Sequence, residues 1–229
     1  MEERDLRILK HVGLYRISIR PALEHALFEG RSCGNVMHRL IREGFVQYRK
    51  GLAGNYSYYQ LSAKGAACVG LPRSRSAEFG AQALHAHLAI LWYCFMDGTR
   101  RFRMESPQVE HLLGPDAPPG DHCLEEAAAP RMFLIYVPGP DTEVRTVRDQ
   151  VVAKVHRARQ YDKVRAWMEA RRYAIVVFSE TQERTRSLKS LLGDHKDLDG
   201  RLADQAYVRV ATIPGPRTLK EALRGAAPR

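Results

Sequence analysis

The stretch from Ser32 to Leu61, SCGNVMHRLIREGFVQYRKGLAGNYSYYQL, most narrows what this chain can fold into, because it has to hold a short helix and two strands. Val36, Met37, Leu40 and Ile41 recur at helical spacing and are expected to face a core. Asn35, His38, Arg39 and Arg42 fall on the opposite side. Ser32 is expected to cap the helix by accepting a bond from an amide one turn on. Gly44 stands where a helix is commonly closed by a left-handed residue. Two strands follow, Phe45–Arg49 and Tyr56–Leu61, around a glycine-containing tip, which is a β-hairpin pattern.

Two more helices are expected upstream. Arg4–Tyr15 carries Leu6, Ile8, Leu9, Val12 and Leu14. Ala22–Phe28 follows Pro21, a residue welcome in a first helical turn, and Gly30 closes it. Ile17–Ile19 between them is a short strand or the turn into the second helix. Helix, turn, helix and basic hairpin together give the layout of a winged helix-turn-helix. Arginine on an exposed helix face is ordinarily just solvated. Here Asn, His and Arg share that face, and these side chains suit base edges and phosphates. Arg49 and Lys50 follow with no acid close by in sequence. Residues 1–75 hold 13 Lys/Arg against 6 Asp/Glu. The reading is double-stranded DNA as partner, with Asn35, His38, Arg39 and Arg42 toward the major groove. Arg49, Lys50 and Asn55 then lie on adjacent backbone or minor groove.

The whole chain agrees in sign, with a net charge of +10 that favours a polyanionic partner. Its 229 residues suit one large domain or two small ones. Cys33, Cys68, Cys94 and Cys123 are scattered without a CxxC pair, so neither a zinc module nor a disulfide framework is expected. The N-terminus is charged at once, and the apolar run Leu88–Met96 is too short to span a bilayer. A reducing bacterial cytoplasm is expected, with no membrane partner.

Beyond the hairpin, Tyr58-Tyr59-Gln60-Leu61-Ser62-Ala63-Lys64-Gly65 runs from an aromatic strand end into Ser and Lys-Gly. This resembles winged-helix proteins of the MarR and PadR kind. It resembles still more the N-terminal part of the bacterial replication-relaxation family, often encoded on plasmids and integrated elements, over about residues 4–70. The resemblance implies a larger C-terminal α/β domain. It also implies an accessory role in replication or transfer of a mobile element, with replication or transfer proteins as candidate partners; a transcriptional regulator is the competing role.

Gly70–Ser76 is read as a linker, with domains at 1–72 and 77–229. The second domain is expected to hold helix Glu78–Met96, strand Arg100–Met104, helix Pro107–Leu113, strands His122–Glu125 and Arg131–Val137, and one long helix Thr142–Arg172. Strand Ala174–Phe178, helix Thr181–Leu192, strand Tyr207–Ile213 and helix Arg217–Leu223 complete it. The class is therefore two-domain α+β or α/β. The second half resembles a degenerate restriction-endonuclease-like fold with a mixed sheet. Those nuclease sites need clustered carboxylates for Mg²⁺ and a lysine near the attacking water. Glu105, Asp116, Asp121, Glu125 and Glu126 are the available acids. However, the strand Met132–Val137 has neither acid nor lysine, and the Glu-x-Lys element is missing. A metal-dependent DNA nuclease is the alternative function. The expectation is no catalytic residue, no metal and no cofactor. His85 and His87 lie two apart on a helix and face apart. His122-Cys123 lacks paired ligand spacing. Finally, an apolar stripe from Val144 through Val155 to Val164 and Met168 on the long helix suggests a homodimer.

Overall fold

The computed structural model describes residues 1–52, 55–95, 99–115, 117–194, 196–197, 200–201, 207–214 and 221–222. The chain is mixed α+β and divides into two compact units, the first holding the described residues up to Phe95 together with Pro214, Glu221 and Ala222, and the second running from Thr99 to Ile213.

In the first unit α1 (Glu3–Tyr15), α2 (Arg20–Phe28) and α3 (Gly34–Arg42) precede a hairpin of β1 (Val46–Leu52) and β2 (Tyr56–Leu61), then α4 (Ala63–Cys68) and α5 (Ala81–Phe95). Ile8, Leu9 and Val12 of α1 pack with Leu23, Met37, Leu40, Val46 and Leu61 in one core. The strands pair antiparallel, Val46 opposite Leu61 and Tyr48 opposite Tyr59, with a bulge between Lys50 and Leu52. Between α1 and α2, Ser18 bridges Tyr59 through two backbone bonds of 2.9 and 2.7 Å. The Ile17–Ile19 segment is thus a third, one-bridge edge on the hairpin.

The ends of α3 follow the sequence in part. Gly44 closes the helix at φ +75°, and the Phe45 amide donates back to the Leu40 carbonyl at 2.9 Å. Ser32 is not the capping residue; Cys33 is. The Ser32 hydroxyl still accepts from the Gly34 amide at 3.3 Å, while Arg20 donates to it at 2.9 Å. After the hairpin, Ser62 caps α4 by accepting from the Gly65 amide at 3.0 Å.

The Gly70–Ser76 stretch is not a free tether. Residues Arg73–Ser76 form a single 3-10 turn. The buried Gln60 side chain donates to the Arg75 and Ala77 carbonyls at 3.3 and 2.6 Å, and Arg75 donates to the Gly13 carbonyl at 3.3 Å. The helix α5, expected in the second domain, packs within the first unit. The Phe95 ring lies 5.2 Å from His11 and 4.9 Å from Tyr15 on α1. The boundary therefore falls after α5 rather than at residues 72–77.

The second unit is a five-stranded sheet in the order β3-β4-β5-β6-β9. β3 (Arg101–Arg103), β4 (Asp121–Glu125) and β5 (Arg131–Tyr136) run antiparallel, with α6 (Ser106–Leu113) inserted after β3. β6 (Tyr173–Ser179) then runs parallel to β5, and β9 (Tyr207–Thr212) parallel to β6. β7 (Lys196–Asp197) and β8 (Gly200–Arg201) form a separate two-residue ribbon. Every residue of β6 is buried, as its unbroken apolar run predicts for a central strand. α9 (Gln182–Asp194) connects β6 to the ribbon.

The expected helix Thr142–Arg172 is two helices, α7 (Val144–Arg159) and α8 (Asp162–Glu169). At the break Tyr161 is extended, φ −94° and ψ 116°. No glycine or proline marks it in the sequence. The turn brings both halves of the apolar stripe into one core. Val147, Val151 and Val155 from α7 join Val164 and Met168 from α8, all packed with Met132, Tyr173, Ile175 and Val177 of the sheet. The stripe that suggested a homodimer is thus used up inside the unit. Of the expected Arg217–Leu223 helix only Glu221 and Ala222 are described, both helical, and Asp116 lies outside the described residues.

Candidate nucleic-acid interface

The residues singled out on α3 do not share one fate. Asn35, His38 and Arg42 are exposed and lie at i, i+3 and i+7, which aligns them along one face of the helix. Among the described residues none of the three is held by a hydrogen bond or an ion pair within the chain. Arg39 is turned inward instead. Its Nη2 donates to Oδ1 of Asp5 at 2.6 Å, and its Nη1 lies 3.6 Å from Glu43. Asp5 is wholly buried. Burial alone pushes its carboxyl up, but the Arg39 bond, the Glu2 amide at 3.1 Å and the charges of Arg39 and Arg4 outweigh this and hold it below the usual range. Arg39 therefore ties α3 to α1. Its place on the polar side of the helix was readable from periodicity; its partner, 34 residues away, was not.

The hairpin divides its residues in the same way. Lys50 and Asn55 are exposed. Asn55 takes a left-handed conformation, φ 60°, where the hairpin turns back. Arg49 is not free of acids as the local sequence suggested. It lies 3.4 Å from Glu78, beyond the 3-10 turn, and donates to Gln47 Oε1 at 3.1 and 2.8 Å. The outward set is thus Asn35, His38, Arg42, Lys50 and Asn55, and the inward set is Arg39 and Arg49.

Sequence reasoning did not single out a recess beside this face. It has a volume of about 420 Å³ and lies between the start of α2, the α3 face and the hairpin. Arg20, His38, Ile41, Tyr48, Tyr56 and Tyr59 line it. The signal for it was available: Tyr48, Tyr56, Tyr58 and Tyr59 crowd a short hairpin.

In the second unit the described acids weighed as metal ligands, Glu105, Asp121, Glu125 and Glu126, are occupied. Glu105 and Gln108 form a reciprocal capping box at the start of α6, with the Glu105 amide donating to Gln108 Oε1 at 2.9 Å. Asp121 pairs with Arg103, Glu126 with Arg100, and the buried Glu125 with both Arg101 and Arg131. Among the described residues no three His, Cys, Asp or Glu side chains gather closely enough to hold a metal ion. His122 is buried, 3.2 Å from the Gly120 carbonyl and 3.1 Å from the Tyr173 hydroxyl. Among the described residues no helix is long and apolar enough to cross a membrane. The chain matches no family model, no curated protein and no solved structure.

Proposed function

We propose that this protein binds double-stranded DNA through its first unit, a winged helix-turn-helix, and does not itself cleave DNA. One observation carries the reading. The outward stripe Asn35, His38 and Arg42 is uncommitted among the described residues, and the exposed Lys50 and Asn55 on the hairpin add to it. Two helices, a bridged edge, a presented helix and a hairpin are the parts that set such a helix in a major groove and a wing on the neighbouring backbone. The second unit, whose sequence resembles a degenerate restriction-endonuclease-like fold, then serves as a scaffold for docking or self-association. The ion-paired acids described above support that, since carboxylates neutralised by arginine make poor ligands for Mg²⁺. Likeness of fold alone would not decide it. The protein acts as a transcriptional regulator or as an accessory factor that marks DNA for replication or transfer proteins of a mobile element, in line with the resemblance of the Tyr58–Gly65 segment.

Anisotropy titration of labelled duplex across a salt series tests this. Log affinity is expected to fall linearly with log salt, since phosphate contacts release counterions. An absence of duplex binding at low salt overturns the proposal. Incubation of supercoiled DNA with Mg²⁺ or Mn²⁺ tests the second clause, and cleavage by the purified protein overturns it.

A further inference from the structure

The recess between α3 and the hairpin sets three tyrosines, Tyr48, Tyr56 and Tyr59, beside the apolar side chains of Ile19, Pro21 and Ile41. Tyr48 is 56% exposed, and it and Met1 are the two large hydrophobic side chains so exposed among the described residues. Its ring centroid stands 5.5 Å from that of its cross-strand partner Tyr59, the planes tilted by 46°. Tyr59 is buried, and two backbone bonds to Ser18 fix its strand, so it forms a base under the exposed Tyr48. Among the described residues the Tyr48 and Tyr56 hydroxyls make no hydrogen bond within the chain. Arg20 holds a planar cation at the lining, oriented by Glu24 at 2.7 Å and Ser32 at 2.9 Å. His38 belongs both to the recess and to the outward stripe of α3.

A flat ring with polar edges matches this lining. Tyrosine faces stack on it, hydroxyls and imidazole meet its edge, and a guanidinium stacks or donates beside it. The volume lies at the small end of the about 300–1,000 Å³ usual for ligand sites. A base within a duplex has both faces covered by its neighbours and cannot enter such a recess. An unpaired base can, and stacking on aromatic side chains is the common way proteins hold one. We infer that the recess takes an unpaired nucleobase, so that the protein prefers DNA with an unstacked base to fully paired duplex. This rests on the proposed function in that the stripe shared with His38 holds the adjoining DNA.

The test compares two labelled blunt-ended duplexes of separate strands at low salt, one fully paired and one carrying a single bulged aminopurine, whose fluorescence falls when it stacks. The full-length protein is expected to bind the bulged duplex about tenfold more tightly and to quench it. Tyr48→Ala is expected to abolish both the preference and the quenching, and Tyr48→Phe to keep both. An unchanged melting temperature for Tyr48→Ala checks that the fold survives. Equal affinity for the two duplexes, or a preference that survives Tyr48→Ala, overturns the inference while the duplex-binding proposal stands. Tyr48-dependent binding of the bulged duplex without any binding of the paired one overturns the duplex proposal and keeps the inference. Binding of neither overturns both.

Discussion

The Arg39 guanidinium on α3 lies 2.6 Å from the Asp5 carboxylate on α1, and that carboxylate has no exposure to solvent. An arginine on the presented helix is thereby a brace for the fold. Arg39→Ala leaves a buried carboxylate without its main partner, a costly state. It is expected to lower the melting temperature and to weaken binding to every DNA sequence by the same factor. A melting temperature equal to wild type, with loss on one sequence only, would return Arg39 to base reading.

Arg42→Ala is the contrasting variant. Its side chain is exposed and bonded to nothing among the described residues, so stability is expected to stay within about 0.5 kcal/mol. If Arg42 meets a phosphate, the slope of log affinity against log salt falls by about 1; if it meets a base, the loss is about 1–3 kcal/mol on the preferred site. Salt-series anisotropy separates these outcomes, and an unchanged affinity removes Arg42 from the interface.

Gly65 has no room for a side chain. A Cβ there would sit 2.0 Å from the Phe45 carbonyl oxygen and 3.0 Å from its carbon. The obstacle is backbone, which cannot swing away as a side-chain tip can. Gly65→Ala is expected to cost at least about 1–3 kcal/mol in urea unfolding. This contact accounts physically for the glycine in the Ser-Ala-Lys-Gly segment.

Val164 and Met168 are core residues, 0% and 4% exposed. Val164→Glu is expected to unfold the second unit rather than to yield a folded monomer. Met168→Ala, which leaves a cavity, is expected to cost about 2–5 kcal/mol. Circular dichroism with light scattering reads both, and a folded Val164→Glu protein of altered mass would restore the stripe as an interface.

Acid should weaken each unit through one histidine. Burial pushes His11 in the first unit and His122 in the second down to about 4. In the unfolded chain they titrate near 6.5, so between those values the unfolded state takes up protons that the folded state refuses. Stability therefore falls as pH drops from about 6.5 to about 4, and the loss from each saturates below that. Each can contribute up to about 3 kcal/mol. Urea midpoints measured across this window check it, and a flat profile would mean that the imidazoles are not held neutral.

Periodicity was enough to locate α1, α2, α3, the hairpin and the buried strand β6, because each of these obeys a local pattern. What escaped were facts set by distance along the chain. Nothing near Arg39 announces Asp5, and nothing near Arg49 announces Glu78. The break at Tyr161 has no proline or glycine because the core, rather than the backbone, demands it. The helix α5 carries apolar residues on more than one side, Leu84, Leu88 and Leu91 along one face and Ala89, Ile90 and Tyr93 away from it, so its pattern could not tell which unit it joins. The recess was missed for a related reason: four tyrosines on a hairpin read as strand-forming residues, and only the fold shows which of them stand open.

The position of β6 also bears on the order of assembly. Its parallel neighbours are β5, which ends at Tyr136, and β9, which begins at Tyr207, so the sheet closes only after long chain loops have been paid for in entropy. The hairpin of the first unit needs only the turn between Leu52 and Tyr56. Local contacts form faster than distant ones. As the chain leaves the ribosome, the first unit's helices and hairpin can fold while β9 is still unmade, and the second unit must wait for it.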